Sequence, residues 1–333
     1  MSFQTYPQFD SWDWETSIKE IASINDWISD FPEVQEIVIS PDGERVAAIV
    51  MTEDDAFTVC VNGEPWTNTF EKLWSLKFSP MSRLLSIGMT DDEWTIVEED
   101  EPWQETFDYV WNMKFGAQGD GVAANVRTSD GYGVALNGNP WDKKFMQMRS
   151  LEVSPDGSRS AGNVQLASLA EGDIFGFKKG LWGLAVDGNL WGSSFLNVWD
   201  CVFSTDGTKV GAEVRLPSRR QTIAVDGEPW PQDFKAVWRP IFVPGTYDIV
   251  APCLTTGGWQ ILINGKPVWN KNLFGTNRLI RYGIRFSALS APSLPPLFLR
   301  NSADGPLGSM AMSGEILSAK SSWPLSSVLM HRE

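Results

Sequence analysis

Tryptophan recurring at near-constant spacing limits this chain more than any other feature. Trp27, Trp66, Trp103, Trp141, Trp191, Trp230 and Trp269 share one local context, at spacings of 39, 37, 38, 50, 39 and 39 residues. Four residues after each of the first six stands a phenylalanine: Phe31, Phe70, Phe107, Phe145, Phe195 and Phe234. After Trp269 it comes one residue late, at Phe274. Four residues further on there is often a second tryptophan (Trp74, Trp111, Trp199, Trp238), with Gln35 and Arg149 as exceptions. A period of this size marks one supersecondary unit repeated along the chain.

Two turn signals frame each unit. Before the marker tryptophan stands Asn62-Gly63, Asn137-Gly138, Asp187-Gly188, Asp226-Gly227 or Asn264-Gly265. Such pairs suit two-residue type I′ hairpins, which need positive φ at both central positions. The second unit has Glu99-Asp100 instead, which predicts a looser hairpin. After the late tryptophan comes Ser40-Pro41-Asp42-Gly43, Ser154-Pro155-Asp156-Gly157 or Ser204-Thr205-Asp206-Gly207, with weaker copies at Ser79-Pro80 and Pro244-Gly245. Proline presets φ, aspartate bonds nearby backbone, and glycine accepts the left-handed region.

Between the turns lie short β-branched runs such as Val46–Val50, Phe57–Val61, Gly133–Leu136 and Thr222–Val225. Each unit reads as four short strands, the last carrying the marker tryptophan. Four strands in about 40 residues is the content of a propeller blade. Glycine and proline recur too often for a helical repeat. The expectation is an all-β fold, a β-propeller-like array of six to seven four-stranded blades with a short N-terminal helix. One large ring at a fixed place in each unit is expected to pack against the neighbouring unit, because a blade cannot bury its faces alone. The expected repeat core is therefore the seven marker tryptophans, the phenylalanines Phe31, Phe70, Phe107, Phe145, Phe195 and Phe234, and the late Trp74, Trp111, Trp199 and Trp238.

Three segments depart from the pattern. Residues 1–30 form an N-terminal segment in which Ile18, Ile21, Ile24 and Ile28 predict a short amphipathic helix over Trp14–Asp30. It is expected to cap an end of the array, the alternative being a docking helix for a partner. The long spacing marks an insertion near Leu166–Lys179. Insertions in repeats map to loops, often on a binding face. Leu169, Phe175, Phe177, Lys178 and Lys179 are thus the candidate partner-binding loop. The propeller repeats span 31–276, and the pattern stops after Phe274. Residues 277–333 carry a net charge of +3, which leaves −18 for residues 1–276. They are expected to be an anomalous tail, out of frame or a disordered extension, so ring closure is left open.

Composition excludes several chemistries. A net charge of −15 disfavours binding to nucleic-acid phosphates. The three cysteines (Cys60, Cys201, Cys253) are far apart, with no C-x-x-C, and the single histidine, His331, lies three residues from the end. There is no G-x-S-x-G, no Walker A and no G-x-G-x-x-G opening a helix, and the acidic runs lack calcium-loop spacing. No catalytic, metal-binding or cofactor-binding residue is expected, so the chain reads as a non-enzyme. Without a signal peptide or an apolar run of about 18 residues, it reads as cytoplasmic.

The frame N-G-E-P-W-x-x-x-F-x-x-x-W at Asn62–Trp74, with a D-G-E-P-W counterpart at Asp226–Trp238, combined with 17 tryptophans, resembles a known family. This is the tryptophan-rich TmcD family, from the Tmc transmembrane electron-transfer complex of sulfate-reducing bacteria. The resemblance covers roughly residues 20–275. It implies a cofactor-free accessory subunit, cytoplasmic and peripherally associated with the inner membrane through its partners. Those would be an iron–sulfur subunit and a cytochrome b subunit, in a complex linking periplasmic cytochrome c to cytoplasmic electron carriers. The alternative is a stand-alone peptide- or carbohydrate-binding propeller, whose tryptophans would face solvent.

Overall fold

The computed structural model describes residues 20–119, 121–167 and 180–267. Within them lie one short helix and six four-stranded antiparallel sheets. Blade 1 is β1 (Glu33–Ile39), β2 (Val46–Met51), β3 (Phe57–Val61) and β4 (Glu64–Pro65). Blade 2 is β5 (Lys72–Phe78), β6 (Leu84–Thr90), β7 (Glu93–Glu98) and β8 (Glu101–Pro102). Blade 3 is β9 (Tyr109–Phe115), β10 (Val122–Thr128), β11 (Gly131–Leu136) and β12 (Asn139–Pro140). Blade 4 is β13 (Glu152–Val153), β14 (Ser160–Gln165), β15 (Trp182–Val186) and β16 (Asn189–Leu190). Blade 5 is β17 (Asn197–Phe203), β18 (Val210–Arg215), β19 (Gln221–Val225) and β20 (Glu228–Pro229). Blade 6 is β21 (Ile241–Phe242), β22 (Ile249–Thr255), β23 (Gly258–Ile263) and β24 (Lys266–Pro267). In every blade the strands pair in chain order.

The blades converge on a centre and do not stack in a line. Their first strands meet: β1 packs on β5, β9 on β13, β13 on β17 and β17 on β21. Glu152 of blade 4 pairs with Lys114 of blade 3 at 2.8 Å and with Arg239 of blade 6 at 3.4 Å. Facing sheets lie about 10 Å apart, so in a linear stack blades 4 and 6 would be about 20 Å apart. A contact that passes over blade 5 requires radial packing. The fold is a β-propeller-like array of six described blades.

The second strand of each blade is buried on both faces: Ala47, Ala48, Ile49 and Val50 are fully buried, as are Ala123, Ala124 and Val126. Small and branched side chains predominate there because each blade is covered on both sides. The cores lie between consecutive blades. Ile87 and Ile96 of blade 2, for example, pack on Phe107, Val110 and Met113 of blade 3.

The N-terminal segment caps blade 1, but with a smaller helix than expected. Within the described residues α1 runs Ile24–Asp30; residues 14–19 lie outside them. Ala22 and Trp27 cover Val46, Ala48 and Cys60 on the face of blade 1 turned away from blade 2. Ile28 leaves the predicted stripe and is 55% exposed. In a helix this short the buried face is set by Ile24 and Trp27, three residues apart. The cap is partial: Ile37 is 36% exposed, whereas Leu76, Met113, Leu151 and Cys201, at the same place in later blades, are buried. The described residues end at Pro267, so Trp269, Phe274 and residues 277–333 of the expected tail lie outside them.

Candidate partner-binding surface

The marker tryptophans reach across to the next blade. Trp66, Trp103, Trp141, Trp191 and Trp230 stand just after the two-residue fourth strand, not within it, whereas Trp27 lies in α1; Trp66, for example, donates its N–H to Val59 O at 2.8 Å. Five of them lie against the hairpin glycine of the following blade: Trp27 under Gly63, Trp103 under Gly138, Trp141 under Gly188, Trp191 under Gly227 and Trp230 under Gly265. Trp141 also donates its indole N–H to Ser160 Oγ at 3.0 Å. The fit is tightest at Gly188 and Gly227, where an added Cβ would come within 3.3 Å of the Cβ of Trp141 or Trp191. Trp66 joins the core between blades 1 and 2. Of the phenylalanines, Phe70, Phe107, Phe145, Phe195 and Phe234 are buried, each bridged through backbone bonds to the start of a third strand. Phe31 is half-buried against blade 1.

The first residue of each β-hairpin does more than turn the chain. Asn62, Asn137, Asp187, Asp226 and Asn264 each accept, through a side-chain oxygen, the N–H that opens the second strand of their own blade. The expectation of a looser second hairpin is corrected here. Glu99 and Asp100 adopt φ of 47° and 79°, and Glu99 accepts the Leu84 N–H at 2.8 Å. Its longer side chain makes the same bond, and Arg45 of blade 1 grips it from across the interface at 2.6 Å. The missing glycine is tolerated because both residues are held in the left-handed region by neighbours: Asp100 accepts from the Thr67 and Asn68 N–H groups.

Three of the late tryptophans, Trp74, Trp111 and Trp199, sit on the first strands, where a bulge turns the chain, and Trp238 lies just before β21. Registers shift after Gln35, Trp74 and Val198, with Glu36 and Ser75 at φ 46° and 59°; blade 3 bulges at Asn112, φ 55°. Three late rings pack on an aromatic at the start of the third strand of the same blade; blade 5, where β19 opens with Gln221, gives Trp199 no such ring. Trp74 meets Trp94 edge-on at 6.4 Å, Trp111 meets Tyr132 at 5.9 Å, and Trp238 meets Trp259 at 4.9 Å. The exception in blade 4 keeps the same geometry with different chemistry: the Arg149 guanidinium lies 3.8 Å over the Trp182 ring. Tyr109 lies near-parallel to both Trp74 and Trp111, with ring centroids 6.3 Å and 5.8 Å away. This contact was not legible in the repeat pattern because Tyr109 is unique to blade 3.

At the opposite end of the strands lie the Ser-x-Asp-Gly turns. Ser40 Oγ donates to Asp42 Oδ1 at 2.5 Å and accepts the Arg45 N–H, and the turns at Ser154 and Ser204 repeat this. The hydroxyl of Ser154 and the groups of Ser158 lower the Asp156 carboxyl below its usual range, and Asp206 is lowered likewise by Ser204 and Thr208. Cations at this end are tied into pairs, among them Arg45–Glu99, Arg83–Glu98, Arg159–Asp187 and Lys209–Asp226. Asp42, Asp100, Asp156, Asp206 and Asp248 remain as fixed negative charge, so this end is acidic.

Leu169, Phe175, Phe177, Lys178 and Lys179 of the candidate loop lie outside the described residues. Its flank, Leu166, packs into the core between blades 3 and 4. Among the described residues no group of His, Cys, Asp and Glu side chains could hold a metal ion. The three cysteines are buried, and burial pushes the thiols of Cys60 and Cys253 up to about 11 and about 12. No helix among the described residues is long and apolar enough to cross a membrane.

The chain matches no family model and no curated protein. Among solved structures it is similar to the Dos1 propeller, at 10% identity over 73% of this chain and 70% of that one, TM-score 0.40. It is similar to a eukaryotic initiation factor at 13% identity, over 72% and 67% of the two chains, TM-score 0.39. The β-propeller domain of the Trilobed protease from Pyrococcus furiosus follows at 10% identity, 72% and 84%, TM-score 0.30. At these scores the likenesses carry no weight for ligand or activity. The class rests on strand pairing and the central contacts: this chain is a β-propeller, a fold suited to binding and scaffolding.

Proposed function

We propose that this protein is a non-catalytic scaffold that presents turn-borne acidic charge to a protein partner. One observation carries the reading: none of the 13 tryptophans among the described residues is exposed. Most are engaged with another blade or another ring, so the repeat builds a rigid support and leaves recognition to the turns. Loops vary on such a support while its core stays fixed. An acidic face speeds encounter with a basic partner and rejects acidic ones.

Taken with the TmcD resemblance, the scaffold is an accessory subunit of a membrane-bound electron-transfer complex in sulfate respiration. It would sit on the cytoplasmic side of the inner membrane, held by the iron–sulfur and cytochrome b subunits. A tagged chain expressed in a sulfate-reducing host should copurify from solubilised membranes with an iron–sulfur protein. Recovery as a free monomer, with no such partner, counts against this reading.

The rival is a peptide- or carbohydrate-binding propeller, and Tyr109, 40% exposed, is the feature that favours it. Its ring is already engaged with three others, however, near-parallel to Trp74 and Trp111 and edge-on to Trp94. Binding of an oligosaccharide or proline-rich peptide that is lost in Tyr109→Ala would favour the rival.

A further inference from the structure

Blade 6 has one face that no other blade covers. Hydrophobic cores join blade 1 to 2, 2 to 3, 3 to 4, 4 to 5 and 5 to 6, and among the described residues none joins blade 6 to blade 1. The effect shows three residues before each hairpin. Val59, Ile96, Val134, Leu184 and Ile223 are fully buried there, whereas Ile261 of blade 6 is partly exposed. Ile96 owes its burial to the first strand of the next blade, with whose Val110 and Met113 it shares a core. Ile261 lacks such a strand among the described residues. At the other end of the array Ile37 of β1 is exposed where its counterparts are buried.

Closing six blades on themselves would not resolve this. In the five blades with a hairpin glycine, the ring beneath it comes from the preceding unit. The ring under Gly63 of blade 1 is Trp27, from the N-terminal segment and not from blade 6. Trp269, which ends blade 6, would be brought to a place already filled. Trp27 thus stands as the marker of a further unit between blade 6 and blade 1.

The sequence holds a candidate for the opening strand of that unit. First strands read Leu73-Trp74-Ser75-Leu76-Lys77-Phe78-Ser79 in blade 2 and Val110-Trp111-Asn112-Met113-Lys114-Phe115 in blade 3. Blade 5 has Val198-Trp199-Asp200-Cys201-Val202-Phe203-Ser204. Outside the described residues stands Arg281-Tyr282-Gly283-Ile284-Arg285-Phe286-Ser287. It repeats the aromatic, the buried apolar place of Leu76 and Met113, the cation of Lys77 and Lys114, the phenylalanine and the serine. Gly283 falls where Ser75 and Asn112 take φ of 59° and 55°, a region glycine enters at no steric cost. Arg281 departs from the pattern, since Leu73, Val110 and Val198 are apolar. Tyr282 follows Phe274 by eight residues, where Trp74 follows Phe70 by four. Fourteen residues separate Pro267 from Arg281 and reach up to about 46 Å, ample for the ~10 Å between facing sheets.

We propose that residues 281–287 dock on the open face of blade 6 as the first strand of a seventh blade, with Ile284 over Ile261 as Met113 lies with Ile96. The same strand reaches β1 beside Ile37, because first strands meet at the centre of the array. The apolar faces at the two ends of the array are then filled from within the chain, and the acidic turns stay free for a partner.

The test uses the full chain carrying Ile261→Cys. Cys60, Cys201 and Cys253 are buried, so their labelling reports any general loosening. Maleimide labelling of the introduced thiol, read by mass spectrometry, should be slow, and about ten-fold faster when Ile284→Asp is added, because a carboxylate does not stay in an apolar contact. Fast labelling without Ile284→Asp overturns the proposal. Slow labelling that Ile284→Asp leaves unchanged also overturns it, as does slow labelling that turns fast on dilution, the sign of a second copy on this face. A second measurement keeps the interface intact. The double variant Ile261→Cys, Ile284→Cys, treated with a short bismaleimide, should join the two positions within one chain, as read from the bridged peptides. No bridge, or a bridge between chains only, is equally fatal.

Discussion

At the scale of single residues, the first position of each hairpin carries more than its turn signal suggests. The Asn/Asp-Gly pairs announced positive φ, and φ is positive at both members of each. That the same side chain also takes the first N–H of the second strand was not legible, because the partner lies 15 or 16 residues earlier in most blades. Glu99 shows why the turn signal misled: backbone angles follow from the bonds available, and a longer carboxylate can make them. Asn137→Ala should cost ~1–2 kcal/mol, since it strands the Val122 N–H and places alanine at φ 51°. Chemical denaturation measures this, and an unchanged midpoint would show that the bond contributes nothing. Carboxyls also set the acid limb. Asp156 and Asp206 are lowered by their serine and threonine neighbours, so their contribution is present above the ordinary aspartate range and is lost as pH falls through it. Thermal melts should therefore weaken below about pH 4, and less steeply in Asp156→Asn, which has no charge to lose.

At the scale of the blade, the tryptophan period gave the unit and its boundaries, and the units follow it from Trp27 to Trp230. What it could not give was direction. A marker ring packs not in its own blade but under the next hairpin, and contact between units lies outside any pattern within one unit. Trp141→Ala removes a buried ring and its bond to Ser160, so a loss of ~3–5 kcal/mol is expected. Chemical denaturation reads it, and a loss no larger than that of a surface substitution would contradict the packing under Gly188. The exceptions to the late-tryptophan rule were unreadable for a related reason: Arg149 meets the third-strand ring through cation–π attraction instead of stacking. Arg149→Ala should cost ~0.5–2 kcal/mol, and Arg149→Lys should recover part of it. Equal stability of Arg149→Ala and the native chain would contradict that pairing.

At the scale of the whole molecule, two results depend on each other. The Glu152 contacts with Lys114 and Arg239 make the array radial, and the rings between blades make it rigid. A rigid radial body with acidic turns supports partners; one with open aromatic faces would bind ligands through them. The deciding quantity is where the tryptophans are, and quenching of tryptophan fluorescence by acrylamide reads it directly. The native protein should show a minor accessible fraction, rising to the whole emission in denaturant. Native emission quenched as freely as that of the denatured chain would contradict the packing between blades, and the scaffold reading with it.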